Sequence, residues 1–460
     1  MLLSGFLGKL PPHLAARLAK AVEVDRLVGG TELPHEKLLQ ALRPQLHEIP
    51  RESRVLTAQR YFCRPFEELL NNHLPRVKQK GCIARVSVVP VWHWLARELI
   101  PEEHKILDRA INDAILHERD EEIHEKLCEL WRISALAIQA ALATEAQKDE
   151  VGCKLGARTI ADDAAEMALL IGAGPELMQL QDKLPRRMHA ATDHEIMVMR
   201  AAYDDFIARM PDVAPYVAVI AMARLERRWQ ALHLAGVFVN QSTDTVLAST
   251  DMGLVGEILF NELNQHRAHI VAMRSDDFDA EPMLVSLGAF AELSSGMVKE
   301  LAIRRDGKWG QTLTKARVAV SEKMEEILER APKEILAALP QPKMYGTGKA
   351  PRALDMVHPP DPLKMARARR HAYVLGHAGP FSVAAAFHAK FNDIYEEVAS
   401  LLRQFAEDLL RELKTKREGE HAEEHFAGLI ELCTLVLGSE ETAFLHRRAR
   451  AIPSPQHTAA

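Results

Sequence analysis

Apolar residues recur at three- and four-residue intervals along almost the whole chain, a spacing that gathers them on one face of an α-helix. Period-two alternation, which a half-buried strand requires, is nearly absent. The chain is therefore expected to be all-α, with a multi-helix bundle body, a proline-rich linker and a C-terminal helical unit that contains one long helix. The best strand candidate runs from Cys82 to Val89, β-branched and following Lys80-Gly81, and no second run of similar quality offers it a partner.

Periodic stretches and their punctuation predict helices over 12–27, 53–70, 101–147 with a break near Arg119-Asp120, 151–171 and 183–210. Further helices are predicted over 214–235, 252–273, 281–303, 308–339 with a break at Pro332, 382–416, 420–437 and 440–450, and 237–250 reads as a loop. A chain of 460 residues exceeds what one hydrophobic core usually serves. The expected division is an N-terminal segment over 1–100 packed on a bundle body over 101–339, a linker over 340–380, a C-terminal unit over 381–450 and a disordered tail over 451–460.

The linker is drawn where Pro340, Pro342, Pro351, Pro359, Pro360, Pro362 and Pro380 sit among few large apolar residues. Its basic residues Lys343, Lys349, Arg352, Lys364, Arg367, Arg369 and Arg370 face only Asp355 and Asp361. That excess suits either a solvated tether or a strip for an acidic partner, nucleic acid or anionic lipid. Beyond it, Phe387, Phe391, Ile394, Val398, Leu401 and Phe405 repeat at alternating steps of four and three, a heptad seam. A helix over 382–416 is about 50 Å long and needs a partner along most of its length, either a second protein or neighbours in its own bundle.

With 58 basic and 64 acidic residues the formal charge is −6, so nothing global draws the chain to phosphate backbones or lipid headgroups. Five scattered cysteines without a C-x-x-C pair point to reduced thiols and a cytoplasmic setting. The N-terminal MLLSGFLGKL lacks the basic start and cleavage site of a secretory leader, and no apolar run approaches the roughly 20 residues of a membrane span. Peripheral attachment through Met1 to Leu10 stays open as a weaker expectation.

No nucleophile-elbow, zincin, dinucleotide-binding or phosphate-loop motif occurs, and no catalytic residue or cofactor is predicted. One trio nevertheless has metal-ligand character: Glu262, His266 and His269 fall within about 60° of one another on a helix, inside an apolar stripe that implies burial. A carboxylate and two imidazoles there suit a transition metal completed from a neighbouring helix, or a hydrogen-bonded polar network. His117, Glu121, His124 and Cys128 project more tightly still, but opposite Leu116, Ile123, Leu127 and Leu130, so they read as a solvated face. Arg224, Arg227, Arg228 and Trp229, and likewise Arg304, Arg305, Lys308 and Trp309, fit cations that close helix C-termini better than a nucleic-acid platform. Trp92-His93-Trp94 fits aromatic anchors that pack a loop onto a core.

The functional expectation is a cytoplasmic α-helical scaffold or adaptor acting on a protein partner or on itself. The alternative is a metal-dependent helical enzyme built on Glu262, His266 and His269.

Overall fold

The computed structural model describes residues 57–72, 77–240, 243–341, 354–414 and 421–451, together with isolated positions between 14 and 42. Two compact units divide the chain. One holds Met1–Gln241 and Leu247–Ile258, the other Ser242–Val246 and Leu259–Ala460. The division thus falls near residues 241–259, well before the proline-rich stretch. Met1 to Leu10 lie outside the described residues.

The first unit opens with α1 (Ala58–Phe62), a 3-10 turn over Arg64–Leu69, and two short strands, β1 (Leu70–Asn71) and β2 (Ile83–Ala84). Leu70 pairs with Ile83 and Asn71 with Ala84, in parallel. Then follow α2 (Arg85–Trp94), α3 (Pro101–Leu116), α4 (Asp120–Ala141), α5 (Glu145–Leu155), α6 (Arg158–Gly172), α7 (Gly174–Lys183), α8 (Asp193–Arg209), α9 (Pro215–Arg224) and α10 (Ala231–Val239). The expected strand from Cys82 to Val89 is strand only at Ile83 and Ala84. From Arg85 the chain is helical through Pro90, because the start of α2 is capped from another helix, as described below. Trp131 on α4 anchors the core, fully buried, with its indole N–H donating to the Phe62 carbonyl at 3.0 Å. Gly174, which opens α7, lies so close to that ring that a β-carbon there would stand 2.6 Å from it.

A four-residue turn, α11 (Asp244–Leu247), and α12 (Gly253–Ala272) follow, and the boundary between units falls within each. The second unit continues with α13 (Ala280–Glu300), α14 (Lys308–Ala338), α15 (Pro362–His377), α16 (His388–Lys414), α17 (Ala422–Leu437) and α18 (Ser439–Arg450). α14 runs unbroken through Pro332, against the expected break. A proline inside a helix forfeits one backbone hydrogen bond, and the buried Ala331 and Ile335 on either side show that packing offsets the loss.

The proline-rich segment also departs from expectation. Residues 362–377 are the helix α15, which buries Met365, Ala368, His371, Ala372, Val374 and Leu375 among its neighbours. Pro362 occupies the first helical position, where no N–H is needed, and Asp361 caps it by accepting from the Leu363 and Lys364 amides at 2.9 and 3.3 Å. Pro362 marks a helix start rather than a tether, and Pro342 and Pro351 lie outside the described residues. α16 begins at His388, after Ala386 takes a left-handed conformation with φ 66°. Phe387, Phe391, Ile394 and Val398 are buried as a seam, but Leu401 and Phe405 are only half-buried, and Leu402, Ala406 and Leu409 continue the buried line. A straight helix drifts about 20° per heptad, so a 3.5-residue repeat slides off the core after two heptads. The buried part of the seam packs inside its own unit, against α14 and α17.

Among the described residues no single helix is long and apolar enough to cross a membrane.

Candidate functional site

The expected trio lies along the edge of the buried line of α12 rather than within it. Leu259, Leu263 and Ile270 are fully buried, Glu262 and His266 are half-buried, and His269 is exposed. His269 Nδ1 lies 2.7 Å from Ser286 Oγ on α13. Burial lowers the pKa of His266, with Glu262 acting against it and His269 with it, so the three side chains are electrostatic neighbours. Among the described residues no three His, Cys, Asp or Glu side chains are grouped so as to hold a metal ion.

His117, Glu121 and His124 are exposed and Cys128 is half-buried, the outward face that the projection implied. Arg224 does more than close a helix. It is buried, donates to the carbonyls of Gln181 and Leu184 at 2.6 and 2.7 Å, and pairs with Glu68. Trp92, Trp94 and Trp309 are core residues; Trp92 stands edge-on to Phe62 at 5.2 Å and to His104 at 4.4 Å. Of the basic segment, Lys343, Lys349 and Arg352 lie outside the described residues. Lys364 and Arg367 are exposed on α15, Arg369 pairs with Glu431 at 2.6 Å and Arg370 with Asp277 at 2.5 Å.

The densest polar cluster was not anticipated from the sequence. In the first unit the Lys78 ammonium lies 2.5 Å from Asp163 Oδ1, 2.5 Å from Glu166 Oε2 and 2.6 Å from the Cys82 carbonyl. The Glu166 contact is an ion pair without hydrogen-bond alignment. Asp163 Oδ2 accepts from the Ala84 amide at 3.1 Å and the Ser87 hydroxyl at 2.6 Å, so it caps α2 from across the unit. Glu166 Oε1 accepts from the Gly81 amide at 2.6 Å and from the Tyr216 hydroxyl on α9. Burial pulls the Lys78 pKa down, but Glu166 and Asp163 outweigh it and leave it raised. Burial, then Glu166, push the Tyr216 phenol far up. The sequence did hold a signal: Asp163 and Glu166 interrupt an alanine-rich apolar stripe whose Ala161, Ala164, Met167 and Ala168 are all buried. Chemically the cluster is closed: the ammonium is hydrogen-bonded to Asp163 and the Cys82 carbonyl and ion-paired with Glu166, and its raised pKa favours the protonated form, which is not nucleophilic.

The second unit carries an open feature, a cleft of about 630 Å³ between the start of α13 and α15. Asp277, Asp279 and Glu281 line one side and Arg369, Arg370 and Tyr373 the other. Both arginines are already paired. Asp279 and Glu281 are exposed and have no ion-pair partner among the described residues, and Asp279, the N-cap of α13, makes no side-chain capping bond.

Comparison of the chain with protein-family models, with curated proteins and with solved structures finds no match.

Proposed function

We propose that the chain is a helical interaction protein, a cytoplasmic scaffold or adaptor that holds a partner protein at the cleft of its second unit. The observation that carries this reading is the cleft itself, where unpaired Asp279 and Glu281 face a wall of Arg369, Arg370 and Tyr373. Enclosed charges such as Lys78 and Arg224 are consumed by internal partners, whereas these groups remain available, and arginine and tyrosine are enriched where proteins meet. The test is quantitative affinity purification from the native source with the wild-type chain and the double variant Asp279→Lys, Glu281→Lys. Both sites are exposed, so the variant is expected to keep its melting temperature and to lose one co-purifying protein. Equal recovery of every partner by the two chains would end the proposal.

A metal-dependent reading of Glu262, His266 and His269 has one supporting observation: the three side chains are electrostatic neighbours along one face of α12. Elemental analysis of untagged protein tests it, and less than about a tenth of an equivalent of transition metal would remove it.

A further inference from the structure

Arg317 on α14, half-buried, departs from the pattern of Lys78 and Arg224. Lys78 and Arg224 each face a carboxylate, but Arg317 has no ion pair among the described residues. Its Nε is fully enclosed and has no acceptor, and Nη2 donates to the Ser294 carbonyl on α13 at 3.2 Å. Burial alone acts on its pKa, lowering it, as expected of a guanidinium with no anion near. Nη1 has no acceptor among the described residues and is not enclosed. A guanidinium carries five N–H donors, and this one uses a single donor internally.

The surroundings narrow the choice of acceptor. The Ser294 hydroxyl lies 3.3 Å from the Ala291 carbonyl and 3.4 Å from the Ala384 carbonyl, and the Ser321 hydroxyl, one turn beyond Arg317, lies 2.8 Å from Glu325 Oε1 and 2.9 Å from the Ala386 carbonyl. The turn over 382–387 is thereby held beside Arg317. Each of the three elements carries an exposed valine near these residues in sequence: Val383 on the turn at 71%, Val318 next to Arg317 on α14 at 49% and Val298, one turn past Ser294, at 46%. A single unpaired guanidinium does not suit a phosphate backbone, which needs several cations in a row.

We propose that this surface of α13, α14 and the 382–387 turn docks a segment of a partner protein that presents a carboxylate side chain between aliphatic neighbours, with Arg317 taking the carboxylate through Nη1 and Nη2. The occupant follows from charge complementarity: an unpaired guanidinium offers the end-on fork that a carboxylate fills, and the valines accept the flanking apolar groups. The surface lies about 20 Å along α13 from the cleft and does not depend on it, though it shares the reading of the chain as a binder.

The probe is the peptide N-acetyl-Val-Asp-Val-amide, with N-acetyl-Val-Asn-Val-amide as its uncharged counterpart. The full chain, ¹⁵N-labelled at arginine, is titrated with each, and the Nε–H resonance that disappears in Arg317→Met is followed. The aspartate peptide is expected to shift it saturably, with affinity in the millimolar range and about tenfold tighter than the asparagine peptide. Val383→Ser weakens the response without changing the melting temperature. Arg317→Met itself is expected to melt at or above the wild-type temperature, since it removes an uncompensated charge. No saturable shift, equal shifts with the two peptides, or a drop of several degrees in the melting temperature of Arg317→Met would each overturn the proposal. Repeating the titration on Asp279→Lys, Glu281→Lys separates the two surfaces: an unchanged response there shows that the Arg317 site stands even if the cleft reading fails.

Discussion

Lys78 in the first unit and Arg317 in the second are both cations taken partly out of water, and their surroundings differ in every respect. Lys78 donates to Asp163 and the Cys82 carbonyl and pairs with Glu166, and those carboxylates also hold Gly81, Ala84, Ser87 and Tyr216. Arg317 makes one bond to a carbonyl and meets no acid among the described residues. A buried ion cluster is not a net source of stability relative to apolar residues of the same volume, but once built it is expensive to break. The contrast teaches where folding and binding divide the use of charge. A closed cluster positions backbone, and a buried charge left open is a cost to folding that a ligand can relieve.

The strongest way to break this contrast is Lys78→Met, which leaves two carboxylates enclosed without their cation. It should cost about 3–5 kcal/mol in urea denaturation, while Arg317→Met costs nothing; a loss below about 1 kcal/mol at Lys78 would put the two cations in one class. Next in size is Gly81→Ala. Gly81 has φ 79°, and a β-carbon there would stand 2.5 Å from Ile258 Cδ1, so a loss of about 2 kcal/mol is expected. Faster amide exchange should be concentrated over 78–84, where the clasp sits, and uniform exchange would show that Gly81 acts elsewhere.

Acid sharpens the comparison between units. Burial lowers the pKa of His371 in the second unit from 6.5 to about 4, and that of His104 in the first unit likewise, with His93 assisting there. A histidine held down stabilises the fold above its unfolded pKa, and that stability is lost as pH falls from 6.5 toward 4. Asp108, beside His104 on α3, is raised by burial from 3.8 to about 6, with Asn112 opposing, so its stability is present in acid and lost as pH rises. The two groups offset each other in the first unit, and His371 has no such counterweight among the shifts of the second. Acidification from pH 7 to pH 4.5 should therefore loosen the second unit by on the order of 2 kcal/mol more than the first, read by hydrogen exchange corrected for intrinsic rates. His371→Leu should remove most of the difference, and a difference that persists would exclude His371 as its source. The smallest effect belongs to the exposed pair Arg403–Glu441, at 2.6 and 3.0 Å. Arg403→Ala should cost roughly 0.5 kcal/mol and less in high salt, as a surface control for both buried cations.

Much of the helical architecture was legible because its signals are local. Helices predicted over 252–273, 281–303, 420–437 and 440–450 match α12, α13, α17 and α18 within a few residues. Proline was misread wherever its meaning depended on position: Pro362 begins α15 and Pro332 lies inside α14, and only the neighbouring packing separates those cases from a linker. The Glu262 trio was placed on the correct helix but too deep, since projection angles locate a face and not how far a neighbour covers it. Lys78 gave no cue, because its partners lie 85 and 88 residues away on one turn of α6.

By itself, then, the sequence determined that this protein is helical and where most helices run, since period and capping act within a few residues. Capping boxes such as Thr144 with Gln147 and Thr192 with Glu195 are complete within four positions. Only the tertiary structure decided which charges are closed and which are open. Arg224, at the end of an almost wholly buried helix, meets Glu68 across 156 residues, and Arg317 meets no carboxylate among the described residues. Coulomb interactions depend on separation through space and on the surrounding dielectric, and neither is written in the order of the chain.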